Sequence, residues 1–282
     1  MAQLQAPERT RTAEHTGRPE KIVGGSFLVP FRGRAPALLA SASERVHPMS
    51  QSPAFLRLRG PVAALAAAAA AACYVLAVRP RLLHWGASTE ESAGPLPGDE
   101  LVRTPRMQST RAVTINASAA SVWPWLVQLG AGRGGMYSYD LLENAAGLGM
   151  RSADRILPEY QRLDVGDVVP LGPDVGIPVR RLEPGAVLGL GGTMDPGTGK
   201  ITASGVRPSG PRLELGWTFV LQPVDEGTTR LLSRTRYDYS PLPVGLILRP
   251  VLEPLQFIME RRMLLGIKSR AEASGRQRAR QP

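Results

Sequence analysis

A run of nineteen residues without a charged side chain, residues 60–78, constrains this chain more than any other feature. As an α-helix it would be about 28 Å long, close to the thickness of the hydrocarbon core of a bilayer. Arginines flank the run in equal number: Arg57, Arg59, Arg79 and Arg81. The pattern predicts a single membrane-spanning helix over residues 60–78. Because the flanking charges are equal, the side of the membrane that the rest of the chain faces stays open.

Two other interpretations of this run remain, because ten of its nineteen residues are alanine. Its few strongly apolar side chains supply only about 2 kcal/mol of insertion free energy. A soluble alanine-rich helix is one alternative, and the apolar part of a cleaved signal peptide is the other. Signal peptides usually have an apolar segment of about 7–15 residues, and this longer run is followed by Arg-Pro-Arg, so an uncleaved anchor is favoured.

The stretches around the run are polar and are expected to lack a core. Residues 1–59 carry nine Lys/Arg against four Asp/Glu and are predicted to be disordered. Met49, which begins Met-Ser-Gln-Ser-Pro, is an alternative start of the chain. Residues 79–107 contain prolines, glycines and acids and are predicted to be a semi-extended linker. The tail 274–282 adds three arginines and is predicted to be disordered, or to lie on anionic lipid.

The net charge of +10 lies mostly in these ends. Residues 108–273 carry eighteen Lys/Arg against sixteen Asp/Glu, a net charge of only +2. A nucleic-acid-binding domain carries its positive charge on the folded part, so we expect no nucleic-acid partner.

Residues 108–273 read as one domain of short strands and helices. The expected elements are a strand at 111–116, a helix ending at Leu129, a glycine-rich turn, a helix at 138–146 capped by Ser138, short strands over 163–192, a hairpin at 212–239, an apolar stretch at 241–252 and a helix at 254–273. This order predicts an α+β fold in which a curved antiparallel sheet wraps around a long C-terminal helix. Such an arrangement leaves an apolar space between sheet and helix.

The hairpin gives the clearest strand signal. Large apolar residues occupy every second position from Leu213 to Leu221. The return strand has Leu231, Thr235 and Tyr237 on one face and arginines on the other. The register decides which of these faces lies beside the apolar one, and the sequence does not fix it.

Four local strings resemble the START-like and polyketide cyclase/dehydrase superfamily of helix-grip proteins, often labelled SRPBCC, which includes the birch-pollen allergen family. They lie at residues 122–128, 137–144, 152–159 and 259–266, and the likeness covers residues 109–273. They are most similar to a bacterial subgroup that carries the domain behind a membrane segment. The resemblance implies the helix-grip fold and a hydrophobic cavity. The histidine-bearing iron and catalytic sites of some relatives have no counterpart here.

The inventory of reactive residues excludes several kinds of site. The chain has one cysteine, Cys73, and its three histidines all lie in the first third. We therefore expect no metal site and no cofactor. Residues 130–135 contain Gly-x-Gly-x-x-Gly, but a helix is predicted before this string, so a helix end and tight turn are favoured over a dinucleotide site.

The reactive groups that remain are carboxyl and hydroxyl groups, and several of them lie on or beside the predicted helix at 138–146. Candidate catalytic residues are Tyr137, Tyr139, Asp140 and Glu143, since a carboxylate and a phenol beside a cavity can transfer protons. The alternative is structural: Tyr139 packs, and Glu143 pairs with an arginine. Large residues of the hairpin and the last helix are expected to be buried and to line the cavity: Trp217, Phe219, Tyr237, Tyr239, Ile258 and Met259.

Three functions follow from these observations. The favoured one is a single-pass membrane protein that binds or transfers a small hydrophobic or amphipathic ligand, such as a lipid or a polyketide-like molecule. The second is a cyclase or dehydratase that uses the carboxylates and tyrosines named above. The third is a membrane protein whose cavity is plugged by Trp217 and Met259 and whose domain binds a protein partner.

Overall fold

The computed structural model describes residues 53–195, 199, 201–202, 211–240 and 242–279. Side chains are described from Val62 onward, with gaps at 241–248 and after Arg276. Of the tail predicted to be disordered, residues 1–59, the part before residue 53, including the alternative start at Met49, lies outside the described residues, and residues 53–59 are helical instead.

The described part of the chain is α+β, as the sequence predicts. The helices are α1 (Pro53–Cys73), α2 (Arg79–Leu83), α3 (Thr89–Ala93), α4 (Ala119–Val127), α5 (Asp140–Ala145) and α6 (Leu242–Ala279). A π-helical segment, Tyr74–Val78, joins α1 to α2, and short 3-10 turns lie at Asp99–Leu101 and Pro158–Tyr160. The strands are β1 (Met107–Ile115), β2 (Val168–Pro170), β3 (Gly176–Glu183), β4 (Val187–Met194), β5 (Ile201–Thr202), β6 (Arg212–Asp225) and β7 (Thr228–Ser240).

The strands form one antiparallel sheet in the order β1-β7-β6-β4-β3-β2, with β5 paired to β4. The predicted hairpin is confirmed as β6 and β7. Trp217 lies opposite Thr235, and Leu215 lies opposite Tyr237. Because directly opposed residues share a face, this register puts the apolar alternation of β6 beside Leu231, Thr235 and Tyr237. We call this the inner face, and the opposite one, which carries the arginines of β7, the outer face.

Helix α6 packs on the inner face together with α4. The core between them contains Trp125 of α4, Phe219 of β6, Leu188 of β4 and Ile267 of α6, each no more than 1% exposed. The architecture thus agrees with the predicted helix-grip arrangement of an antiparallel sheet and a long C-terminal helix.

Helix α6 is longer than predicted at both ends. The sequence places its start near Pro254, because a proline in the first turn loses no hydrogen bond. In the structure the helix starts at Leu242 and contains Pro250 and Pro254 in its interior. Each proline removes one backbone hydrogen bond from the helix. This part of α6 is held to α2 by the ion pair of Glu253, which lies between the two prolines, with Arg79. At its other end the helix runs to Ala279, through most of the stretch predicted to be a disordered tail.

Residues 86–102, predicted as part of a semi-extended linker, lie folded against the outer face of the sheet. We call them the strap. Val102 is 1% exposed, and Leu96 packs against a buried cluster formed by Ala112, Val187, Val220 and Leu232. The linker prediction fails here because the arginines of β7 bind acids and backbone carbonyls of the strap, contacts between residues more than 130 positions apart.

One helical segment among the described residues, Val62–Leu83, is long and apolar enough to cross a membrane. Its mean hydropathy is 1.9, and no residue of its most apolar 18-residue window is buried in the protein, although Leu83 at its end is buried. The segment extends five residues beyond the predicted end at residue 78.

Candidate functional site

A cavity of about 180 Å³ lies between the inner face of the sheet and helices α5 and α6. Most of its lining is apolar. The lining residues are Met136, Ser138, Glu143, Leu171, Ile177, Leu215, Trp217, Thr235, Tyr237, Gln256, Met259, Glu260 and Met263.

Three of the six residues predicted to line a cavity do so: Trp217, Tyr237 and Met259. The Trp217 ring is held in place because its Nε1 donates a hydrogen bond of 3.0 Å to Ser233 Oγ on the neighbouring strand. Ser138 Oγ donates to the Met259 carbonyl oxygen at 2.9 Å, which ties the segment before α5 to α6. The predicted helix cap at Ser138 is therefore wrong, and the N-cap position belongs to Tyr139.

The other three predicted residues lie elsewhere. Phe219 is fully buried in the core, with its ring centroid 4.9 Å from that of Trp217. Tyr239 lies near the end of β7, where the Arg249 guanidinium stacks over its ring at 5.4 Å. Ile258 was expected to be buried but is 46% exposed, because it points away from the sheet on α6. Helical spacing alone could not set the rotation of α6 about its axis.

Glu143 is the one predicted catalytic candidate that reaches the cavity. Its side chain is buried although it lies on a six-residue helix whose neighbouring Leu142 is exposed. The Oε2 atom accepts no hydrogen bond from any residue that the structure describes. Burial, with a smaller contribution from the negative charge of Asp140, raises the pKa of the Glu143 carboxyl. The predicted pairing of Glu143 with an arginine is not found among the described contacts.

Asp140 and the two neighbouring tyrosines have structural roles instead. Asp140 accepts hydrogen bonds from the backbone N–H and the hydroxyl of Ser152, at 2.7 and 2.6 Å. Tyr139 is 39% exposed and lies outside the cavity. Tyr137 is buried, and its hydroxyl accepts a hydrogen bond of 2.8 Å from Gln128 Nε2. The predicted partnership of a carboxylate with Tyr137 or Tyr139 is thus not formed, and the phenol that shares the cavity with Glu143 is Tyr237.

Glu260 of α6 also lines the cavity, and it is not among the site residues predicted from the sequence. It is 4% exposed and forms a buried ion pair with Arg111 of β1. Arg111 Nε also donates to the Leu82 carbonyl oxygen at 2.9 Å. The sequence contains a clue to this ion pair. Arg111 lies two residues from Val113 and therefore on the same face of the strand, and a charged side chain that faces inward requires a buried partner.

No group of three or more His, Cys, Asp or Glu side chains suited to a metal ion occurs among the residues described. The polar groups that line the cavity are instead carboxyl, hydroxyl and amide groups on an apolar background. Such a cavity can bind a molecule with an apolar body and hydrogen-bonding substituents.

Comparison with known proteins gives structural similarity only. No protein-family model and no curated protein sequence matches the chain. Among solved structures, a hypothetical protein from Helicobacter pylori is 15% identical, with 66% of this chain and 99% of that one covered and a TM-score of 0.38. The di-domain ARO/CYC protein BexL of the BE-7585A biosynthetic pathway is 14% identical, with 59% and 46% covered and a TM-score of 0.34. A point mutant of norcoclaurine synthase from Thalictrum flavum is 16% identical, with 60% and 95% covered and a TM-score of 0.32.

Proposed function

We propose that this protein is a membrane-tethered binding protein that holds a small hydrophobic or amphipathic molecule in the cavity between the sheet and helix α6. The observation that carries the proposal is the cavity itself. Trp217 and Met259, which could have plugged it, stand at its wall and leave about 180 Å³ between the lining residues. A plugged, partner-binding domain is therefore the weaker hypothesis.

The volume limits the size of the bound group. An engineered cavity of about 150 Å³ in another protein holds one benzene molecule. A cavity of about 180 Å³ accordingly accepts a single ring or a short segment of an alkyl chain. A larger lipid or polyketide-like molecule would place only one end between Trp217 and Met259.

The tether is the helical segment Val62–Leu83. Its exposed apolar surface has no partner among the described residues, and a bilayer would cover it. The end of this segment is joined to the binding domain, because Arg79 donates hydrogen bonds of 2.7 and 2.9 Å to the two carboxylate oxygens of Glu253 on α6. The domain is thus held close to the point at which the segment would leave the membrane.

An exposed apolar surface on α5 and α6 supports contact of the domain with the same bilayer. Its members are large apolar side chains that are at least 46% exposed: Leu141, Leu142, Val251, Leu252, Leu255 and Ile258. The same two helices supply Glu143, Gln256 and Met259 to the cavity. We propose that the bilayer covers this surface, because the ion pair of Arg79 with Glu253 links α6, which carries most of the surface, to the apolar segment Val62–Leu83. A ligand could then pass between the membrane and the cavity without crossing water.

A second candidate function is acid–base catalysis in the same cavity. It is favoured by Glu143, a buried carboxyl group with a raised pKa and an unpartnered oxygen in an apolar site. The hydroxyl partner would be Tyr237 rather than the tyrosines predicted from the sequence. Catalysis predicts that a bound molecule is chemically changed and that Glu143→Gln abolishes the change.

The test of ligand binding is native mass spectrometry of the full chain released from detergent micelles, followed by organic extraction of the sample. We expect a stoichiometric apolar molecule. Leu171→Trp, which adds volume at the cavity wall, should lose it, whereas Val224→Trp, at a position 64% exposed on the far end of β6, should keep it. A protein that is folded, empty and unable to take up added lipid would overturn the proposal.

The tether has a separate test. Ala71→Arg places a charge in the middle of Val62–Leu83 at a cost of about 3 kcal/mol, more than the apolar residues of the segment supply. The variant should move from the membrane pellet to the supernatant on alkaline carbonate extraction. Ala71→Leu should stay in the pellet. Extraction of the unaltered chain by carbonate would rule out a spanning helix.

A further inference from the structure

We infer that the molecule in this cavity carries a hydrogen-bond-donating head group, a hydroxyl or a primary ammonium, and that the cavity discriminates against carboxylate and phosphate head groups. The inference rests on the proposed ligand-binding function and narrows the class of ligand. It follows from the charges and the unpartnered atoms of the lining.

Among the described residues, the lining holds two carboxyl groups, Glu143 and Glu260, and no lysine, arginine or histidine. Both are more than nine-tenths buried, at 6% and 4% exposed. Each has a buried oxygen that accepts no hydrogen bond from the described residues, Oε2 of Glu143 and Oε1 of Glu260. A buried acceptor without a donor is unfavourable, so a ligand that supplies donors to these oxygens gains affinity.

The positive charge that pairs with Glu260 does not reverse this preference. Arg111 is fully buried behind Glu260 and is absent from the lining. Its Nη1 donates to Glu260 Oε2 and its Nε to the Leu82 carbonyl oxygen, while Nη2 has no partner among the described residues. The group that meets a ligand is therefore the carboxylate of the pair and not the guanidinium.

Two of the remaining polar side chains of the lining, Ser138 and Gln256, make hydrogen bonds within the protein, whereas the hydroxyls of Thr235 and Tyr237 make none with the described residues. Ser138 Oγ donates to the Met259 carbonyl oxygen, and Gln256 Nε2 lies 3.4 Å from Glu260 Oε2. Thr235 Oγ1 is buried without a partner among the described residues and can both donate and accept. Because the cavity is small, any occupant lies close to both carboxyl groups, and an anionic head group would place a further negative charge beside their oxygens in a poorly solvated space.

The experiment uses three probes that share one ring and differ in the head group: cyclohexylmethanol, cyclohexylmethylamine and cyclohexanecarboxylate. Binding to the full chain in lipid nanodiscs is measured by isothermal titration calorimetry, with titrations into empty nanodiscs subtracted. We expect the alcohol and the amine to bind at least about tenfold more tightly than the carboxylate. Equal or tighter binding of the carboxylate would overturn the inference. Failure of all three probes to bind would count against the proposed function itself.

Variants locate the effect in the cavity. Glu143→Gln keeps the shape of the side chain and should reduce the preference for the amine over the carboxylate several-fold. Glu159→Gln, the same change at an exposed position outside the cavity, should leave the preference unchanged. Gln256→Glu adds a third carboxyl group to the lining and should increase the preference, so the inference stays testable if Glu143→Gln does not fold. An unchanged preference in both cavity variants would contradict it.

Discussion

Arg111 on β1 and Glu260 on α6 form an ion pair inside the protein, with side chains 0% and 4% exposed. The pair joins the inner face of the sheet to the C-terminal helix, and the Arg111 bond to the Leu82 carbonyl oxygen adds α2 to the same contact. Glu260 also lines the cavity. One pair of charges thus fixes three elements and supplies a polar group to the candidate site.

Breaking this pair on one side should be costly. Arg111→Met leaves Glu260 buried without its partner and should lower the free energy of unfolding by about 3–5 kcal/mol. The double variant Arg111→Met with Glu260→Met removes both charges and should recover most of the loss. Urea unfolding followed by tryptophan fluorescence measures both. A double variant as unstable as the single one would show that packing, and not charge pairing, sets the role of Arg111.

The strap depends on Arg234 of β7. This side chain is 2% exposed and donates to Thr110 Oγ1, the Gly94 carbonyl oxygen and Asp99 Oδ2, each at 2.9 Å, and to the Glu91 carbonyl oxygen at 2.6 Å. Lysine keeps the charge but not the fork of donors. Arg234→Lys should therefore lower the free energy of unfolding by at least about 2 kcal/mol and speed proteolytic cleavage within residues 86–102.

The control for the strap is Arg181→Lys. Arg181 pairs with Glu100 and Glu183 at the surface, where all three side chains are at least 36% exposed. This change should alter stability by less than about 1 kcal/mol. Equal effects of the two substitutions would contradict the role given to Arg234.

The raised pKa of Glu143 predicts how stability depends on pH. The unfolded chain titrates at the ordinary pKa of 4.5, whereas burial raises the pKa of the folded chain above it. Between the two pKa values the folded state binds more protons, so the contribution of this group to stability is full at low pH and is lost as pH rises. Glu143→Gln removes this titration, and its stability relative to the unaltered protein should increase from acid to neutral pH. Urea unfolding across this range checks it, with Glu159→Gln as the control. Parallel curves for Glu143→Gln and the unaltered protein would contradict the prediction.

Gly266 permits the close approach of α6 to the segment that precedes α5. A Cβ atom at this position would lie 2.3 Å from the Tyr137 carbonyl oxygen, so Gly266→Ala should cost about 1–3 kcal/mol. Gly275 is in the same helix, and no atom lies within 4 Å of the position that its Cβ would occupy. Gly275→Ala should be neutral or stabilising by up to about 1 kcal/mol, because alanine is the better helix former. Thermal unfolding compares the two, and equal losses would show that the contact at Tyr137 is not the cause.

The sequence was sufficient for features that depend on local periodicity. The alternation in β6 predicted a strand with one apolar face, because side chains of a strand alternate between its two sides whatever surrounds it. The hairpin, the α+β class and the positions of Trp217, Tyr237 and Met259 beside a cavity follow from that rule and from the predicted C-terminal helix. Glu143 was found for a similar reason, since it lies in a helix predicted to border the cavity.

Other features depend on contacts between residues far apart in the chain, and only the tertiary structure decided them. The register of β6 and β7 determined which face of β7 points inward. Its arginines therefore lie on the outer face, where they bind the strap. The packing of α6 buried Glu260 against Arg111 and turned Ile258 outward, although helical spacing alone allowed the reverse. Local sequence fixes the period of a helix or strand, but its rotation and register are fixed by the free energy of packing against the rest of the fold.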